Sequence, residues 1–383
     1  MSIVIAERDE HSRGELIGIL HEAGYSNIVT FYNAAHAWTH LQHIASTGSL
    51  AEITLILLDT SSLQAALEHG LISVSDDLLF SDLPILIMGK GDTMDIIYRF
   101  SPNQIVDYIQ KPIHPLELQM RVCALYKTRQ YIQQQKQNQM KLEALIEEHQ
   151  SQLAIAKKVQ RSVLSEPMQG KDIAISALYQ PSEDLSGDMY CWYEIGRGRY
   201  GIILIDVVGH GVSASLVSMS LRALLRGLIV RVTDPVKVIH ELNRHIHHIF
   251  HGEASLWYFT AFYMIIDTEK RRIEYTNAGH PPAFLKHGDG SIQKLRKGCC
   301  PVGIIMDMPV EKEVLSFKKN TEILLYTDGL FNLFGSPEHT YRYIEEQMTS
   351  RSQISLQERL AKRIKTEEGV ECSDDICIIS IQL

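Results

Sequence analysis

Ile202-Ile203-Leu204-Ile205-Asp206-Val207-Val208-Gly209-His210-Gly211 is the stretch whose reading decides how the second half of this chain folds. An apolar run of strand length ends on a carboxylate, and a glycine-flanked turn follows. Working outward, Tyr200–Asp206 reads as a strand whose neighbour is Met189–Ile195. Thr260–Asp267 and Arg272–Asn277 form a second pair, and Glu322–Thr327 and Asp375–Ile381 read as later strands. Two helical stretches, Ala214–Val230 and Pro235–Phe250, lie between the pairs. Adjacent hairpins with helices grouped between them predict an α+β sandwich rather than a parallel sheet.

Asp206 has three counterparts. Asp188 stands in Ser-Gly-Asp-Met, Asp328 ends Leu-Leu-Tyr-Thr-Asp-Gly, and Asp374 opens Asp-Asp-Ile-Cys-Ile-Ile-Ser-Ile. Each carboxylate sits where an apolar strand meets a turn. Glycines beside them let backbone carbonyls approach a common point. Taken singly, each aspartate reads equally well as a turn residue or a cap. Taken together, convergent carboxylates repel unless a cation holds them, and an oxygen-only set selects Mg²⁺ or Mn²⁺. Two such ions about 4 Å apart would lower the pKa of a water and aim it at a phosphoryl group.

The ordered motifs Ser186-Gly187-Asp188, Asp206-Val-Val-Gly-His-Gly211, Asn277-Ala-Gly-His-Pro-Pro282, Thr327-Asp-Gly-Leu330 and Ser373-Asp-Asp-Ile376 resemble the PPM (type 2C) phosphatases. The resemblance is to their sporulation and general-stress branch, which includes the sigma-B-activating phosphatases of bacilli, and it runs from about Ala156 to Leu383. It implies an αββα sandwich that binds two Mn²⁺ or Mg²⁺ ions and acts on phosphoserine or phosphothreonine proteins. It further implies that Asp206 bridges the metals, that Val207 offers its carbonyl, that Asp328 and Asp374 complete one metal, and that Asp188 supports the other. Asp375 ranks below Asp374 in this carry-over. The usual substrate of the branch, and so the implied one, is a phosphorylated anti-sigma-factor antagonist, a small STAS-domain protein. His210 reads as shaping its turn and His280 as part of a structural motif, with a direct chemical role open for both. His247 and His251 form a helical i, i+4 pair whose plainer reading is a wet helix face.

The first 123 residues alternate strand and helix: Ser2–Ala6, Arg13–Ala23, Ile28–Phe31, Ala34–Ser46, Ile53–Leu58, Leu83–Met88, Gln104–Ile109, then a helix from about Pro115. Such alternation predicts a doubly wound parallel five-stranded sheet with chemistry at the carboxyl ends of its strands. This region resembles bacterial response-regulator receivers. Asp59 matches the phosphate-accepting aspartate, Lys111 the lysine that pairs with the phosphoryl group, and Glu7 the first of two acids that hold Mg²⁺. A sensor histidine kinase is the implied phosphodonor. Two departures stand out. Arg8 replaces the second acid, with Asp9 adjacent, and Gly89 replaces a Thr or Ser after the fourth strand. A receiver fold used only for docking therefore remains an open reading.

From Ala124 to Ser165 glycine and proline vanish, and Leu125, Ile132, Ile146 and Leu153 recur on a seven-residue grid. That pattern predicts a coiled-coil linker (residues 124–165) between a receiver-like domain (1–123) and a phosphatase domain (166–383), with a homodimer formed through it. Gln135, Gln139 and His149 interrupt the seam, which suits a helix that shifts register to pass a signal. The 383 residues carry a formal charge of −9, which argues against broad nucleic-acid binding. Six cysteines without a C-x-x-C pair suggest neither a zinc cage nor a redox motif. The start of the chain shows no export signal and no continuous apolar run spans a bilayer, so the expected address is the cytoplasm, away from membranes. The competing reading of the second half is a non-catalytic phosphoprotein-binding scaffold.

Overall fold

The computed structural model of the chain describes residues 2–46, 52–71, 82–91, 94–97, 104–250, 257–350, 355–366 and 374–383. They divide into two compact units, Met1–Glu147 and Glu148–Leu383.

The first unit contains β1 (Ser2–Ala6), α1 (Glu10–Glu22), β2 (Ile28–Phe31), α2 (Ala34–Ser46), β3 (Ile53–Asp59), α3 (Thr60–Glu68), β4 (Ile85–Gly89), α4 (Met94–Ile97) and β5 (Val106–Gln110). It also holds the first part of α5 (Pro115–Ser162), a single helix of 48 residues. The strands are all parallel in the order β2-β1-β3-β4-β5, the doubly wound sheet that the alternation predicts. Every residue of β3 is buried, which is why its apolar run shows no alternation. Helix α1 begins at Glu10, three residues before the expected Arg13, because Asp9 caps it by accepting from the Ser12 N–H at 2.7 Å. Nothing in the apolar pattern announces α3, whose start depends on the Asp59 side chain accepting from the Ser61 and Ser62 N–H groups. Strand β4 starts after Pro84 rather than at Leu83.

The second unit continues with β6 (Met168–Gln169), β7 (Ala174–Gln180), β8 (Met189–Gly196), β9 (Arg199–Val207), α6 (Gly211–Arg231), α7 (Pro235–Ile249), β10 (Phe259–Asp267) and β11 (Arg272–Ala278). Next come β12 (Ala283–Lys286), β13 (Ile292–Leu295), β14 (Gly298–Cys299), β15 (Glu313–Ser316), β16 (Glu322–Tyr326), α8 (Gly329–Phe334), α9 (Pro337–Thr349), α10 (Leu356–Thr366) and β17 (Ile376–Gln382). One sheet runs β14-β11-β10-β9-β8 with β15 also on β11, and the other runs β13-β12-β16-β17-β7-β6. Alternation along β9 sends Ile203, Ile205 and Val207 toward α6 and α7, and Ile202 and Leu204 toward the other sheet. Between the sheets Phe262 and Tyr275 stack at 5.3 Å beside Tyr190, Trp192 and Met264. On the outer face of the second sheet Leu330, Ile344, Met348 and Leu360 cover Phe284, Leu324 and Tyr326. The result is helix–sheet–sheet–helix, an αββα sandwich.

Among the described residues α6 is long and apolar enough to cross a membrane by length and composition. Here its apolar stripe of Ala214, Val217, Leu221, Leu225 and Leu228 is buried in the core under β8 and β9.

Candidate active site

The sandwich brings the four predicted aspartates to one rim. Met189 pairs with Ile205, and continuing that register sets Asp188 opposite Asp206. Asp206 is the penultimate residue of β9 and belongs, by alternation, to the face that meets the other sheet. Asp328 follows β16 and Asp374 precedes β17, and those two strands are antiparallel neighbours. Thr327 ties the sheets together: its hydroxyl donates to Asp188 Oδ2 at 2.7 Å and accepts from the Cys377 N–H at 2.8 Å.

Burial and proximity make this rim electrostatically costly. Asp188, 1 % exposed, is pushed well above the carboxylate range by burial first and then by the charge of Asp206, with the Thr327 hydroxyl opposing. Asp206 is likewise raised, by burial, by the charges of Asp328 and Asp374, and by a hydrogen bond to Asp328. Asp374 rises by burial, partly offset by the Asp375 N–H, and by the charge of Asp328.

Such a set calls for positive charge, and the backbone around it suits a divalent ion. A Cβ on Gly187 would lie 2.9 Å from the Val207 carbonyl oxygen and 3.1 Å from that of Gly209, so only glycine lets these carbonyls close on the Asp188 turn. Among the described residues no three His, Cys, Asp or Glu side chains close on a single point. Mg²⁺ sites meet this condition, since they take one or two carboxylates with the remaining positions filled by water and carbonyls. The donor set fits hard cations.

Asp375 has a different task from Asp374. Its Oδ1 accepts from the Ser182 N–H and hydroxyl, both at 2.8 Å, and its Oδ2 accepts from the Gly187 N–H at 2.8 Å. It anchors the Ser182–Asp188 turn, and its charge also reaches Asp188 and Asp206. Gln160, near the end of α5 and 2 % exposed, clamps the same turn. Its Nε2 donates to the Ser186 carbonyl at 2.7 Å and its Oε1 accepts from the Ser186 N–H at 3.2 Å. Neither role is visible in sequence, because a glutamine in a polar helix looks like every other.

His210 pairs with Glu183 at 2.7 Å, both half-exposed, and makes no side-chain cap on α6, so it holds the turn that leads from Val207 into the helix. His280 is buried, and burial pushes its imidazole down to about 3, which leaves it neutral and no proton donor at neutral pH. His247 lies on α7, while His251 and Ser373 fall outside the described residues.

In the first unit the predicted trio also meets. Lys111 Nζ lies 2.5 Å from Glu7 Oε2 and 2.5 Å from Asp59 Oδ1. Asp59 Oδ2 accepts from the Ser61 N–H at 3.1 Å, and Glu7 Oε1 accepts from the Asp9 N–H at 3.0 Å. Burial raises the Asp59 carboxyl, but the Lys111 and Ser61 hydrogen bonds outweigh it and hold it below its ordinary value. Asp9 is occupied as a helix cap, and Arg8 lies against the Tyr32 ring, 5.9 Å from its centroid. The lysine therefore lies between the two acids, and Asp9, the acid adjacent to Arg8, is engaged as the α1 cap.

Comparison with known proteins adds to this geometry. Residues 196–383 match the family model of Stage II sporulation protein E (SpoIIE). The chain is 36% identical over 234 residues to the phosphoserine phosphatase RsbP of Bacillus subtilis (strain 168), covering 61% of this chain and 58% of RsbP. It is 23% identical over 119 residues to the two-component response regulator-like PRR73 of Oryza sativa subsp. indica, covering 31% of this chain and 15% of PRR73. In structure, the SiaA-PP2C domain of Pseudomonas aeruginosa superposes with a TM-score of 0.54 at 21% identity, over 63% of this chain and 99% of that one, a likeness of fold.

Proposed function

We infer, from the premise that residues 196–383 form a domain of the SpoIIE family, that this chain is a metal-dependent protein serine/threonine phosphatase. One observation carries the reading: Asp188, Asp206, Asp328 and Asp374 converge on one rim, where burial and neighbouring carboxylate charge raise the carboxyls of Asp188, Asp206 and Asp374 above their ordinary range. Ionising these carboxyls together is costly, and cations among them would offset that cost.

Asp188, Asp206, Asp328, Asp374 and the Val207 carbonyl would hold two Mn²⁺ or Mg²⁺ ions between them. When bound, such ions supply an activated water and neutralise phosphoryl charge. The chain does the rest. Thr327 fixes the Asp188 carboxylate, Asp375 and Gln160 hold the turn that carries it, and the Glu183–His210 pair holds the loop after Val207.

The substrate we propose is a phosphorylated anti-sigma-factor antagonist of the STAS class: the similarity to the phosphoserine phosphatase RsbP supports a phosphoserine protein, and the motif resemblance implies the class. The first unit would act as a receiver that takes a phosphoryl group from a sensor kinase at Asp59, or that docks a partner, and so biases the phosphatase. The exposed Leu142, Ile146, Ile155 and Val159 on α5 suit a coiled-coil homodimer through that helix. We place the domains at 1–123, 124–165 and 166–383, and the protein in the cytoplasm, where its free thiols stay reduced.

The test is Mn²⁺- or Mg²⁺-dependent release of phosphate from a panel of phosphorylated STAS proteins. Activity is expected in the full chain and its loss in Asp206→Ala and Asp328→Ala. Retained activity in both variants would refute the assignment.

A further inference from the structure

We propose that His280 is a positioning residue for the carboxylate rim: acting through Thr260, it fixes the strand end that carries Asp206. The inference rests on the phosphatase reading and extends it to residues outside the ligand set.

Thr260 pairs directly with Asp206 in the β9–β10 ladder, so the two side chains stand on the same face of the sheet. The Thr260 hydroxyl lies 2.7 Å from His280 Nδ1. His280 is held at its backbone from both sides: its N–H donates to Asn277 Oδ1 at 2.7 Å, and Asn277 Nδ2 donates to its carbonyl at 2.9 Å. Gly279 before it adopts φ +67°, and a Cβ there would collide with the Pro301 ring, so the turn that presents the imidazole has one shape. The residue is 6 % exposed, and its Nε2 is buried and makes no hydrogen bond of good geometry. Burial lowers its basicity, and the nearby backbone of Tyr326, which ends β16 two residues before Asp328, partly opposes that fall. The imidazole thus stands between the strand end leading to Asp206 and the one leading to Asp328. A neutral ring with fixed orientation restricts the Thr260 rotamer and with it the packing beside Asp206. Groups that orient metal ligands in this way typically change metal affinity 10–100-fold when removed.

The experiment uses the full chain and Mn²⁺ itself. The Mn²⁺-induced rise in Tm gives a binding midpoint independent of turnover, and a phosphoserine substrate gives kcat and KM. Thr260→Val and His280→Ala are expected to raise the Mn²⁺ midpoint about 10-fold or more and to lower kcat at saturating metal with KM unchanged. Thr260→Ser and His280→Asn, which keep a hydrogen bond at this point, are expected to stay near wild type. The Thr260→Val/His280→Ala double variant should be no worse than the poorer single one. An unchanged midpoint in Thr260→Val, equal impairment in Thr260→Ser, or additive effects would overturn the proposal. Should His280→Ala fail to fold, the Thr260 pair decides alone, because valine keeps the shape of threonine. A wild-type chain whose Tm ignores Mn²⁺ would instead refute the metal-site reading, and the positioning role with it.

Discussion

The Gly187 N–H donates to Asp375 Oδ2 at 2.8 Å, joining the turn before β8 to the start of β17 and so one sheet to the other. Asp374, the adjacent residue, faces the rim and is raised by burial, whereas Asp375 is fully engaged by Ser182 and Gly187. Two neighbouring carboxylates therefore fail in different ways. Asp375→Ala strands buried donors and should destabilise the fold by about 2–4 kcal/mol, since hydrogen bonds to a charged group are worth roughly 1.5–3 kcal/mol each. Asp374→Ala should leave thermal stability near wild type in the metal-free protein and abolish turnover. Chemical denaturation and phosphate release on both variants check this; equal stability losses would contradict it.

Metal and pH should act together. The Asp188 and Asp206 carboxyls are raised in the folded protein, by burial first and then by neighbouring charge. A raised group contributes stability below its ordinary pKa and loses it as pH rises through the folded value. The metal-free chain should therefore lose stability at this rim on going from mildly acidic to alkaline pH. Divalent ions need the ionised form, so the Mn²⁺-induced rise in Tm should grow as pH rises over the same interval, above the ordinary carboxylate range. Asp59 runs the other way. Its carboxyl is held low, so its contribution is present above the ordinary carboxylate pKa and disappears as pH falls through the folded value. Differential scanning calorimetry with EDTA and with Mn²⁺ reads both trends, and Asp206→Asn should flatten the metal-dependent one.

Gln160 gives a third prediction. Its amide satisfies both backbone groups of Ser186, two residues before Asp188. Gln160→Ala should cost about 1–3 kcal/mol by leaving those groups unpaired, and should weaken metal activation because the Asp188 turn loosens. Lys157 on the same helix makes an exposed ion pair with Asp184 at 3.4 Å, so Lys157→Ala should change stability by less than about 1 kcal/mol. A Gln160→Ala variant with wild-type metal dependence would sever the link between α5 and the rim.

The legible parts of this molecule are those written in one dimension. A continuous apolar run ending on a carboxylate gives β9 and Asp206 directly, and the same signal finds Asp328 and the strand after Asp374. The parallel sheet of the first unit is equally plain, because β3 is apolar throughout. The partners of these residues are not written that way. Thr327, Asp375 and Gln160 act across distances of 139, 188 and 26 residues, which only the folded register brings together. Helix α3 escapes because its start depends on the Asp59 cap rather than on periodicity. Motif matching likewise finds Glu7, Asp59 and Lys111 but cannot show Lys111 placed between the two acids.

Gly89 shows the same principle as a packing problem. A Cβ at this position would lie 2.5 Å from Thr60 Oγ1 and 2.6 Å from its Cγ2, closer than atoms can pack. Space that a threonine or serine at 89 would fill is already filled from α3, one residue beyond Asp59. Gly89→Thr should therefore destabilise the first unit by about 1–3 kcal/mol, the usual cost of overpacking. Thr60→Ala alone should cost less, and combining it with Gly89→Thr should recover much of the loss, giving a coupling energy of the size seen for residues in contact. Urea unfolding of the full chain and its three variants measures the cycle. Additive changes would mean that the two positions do not compete for the same volume.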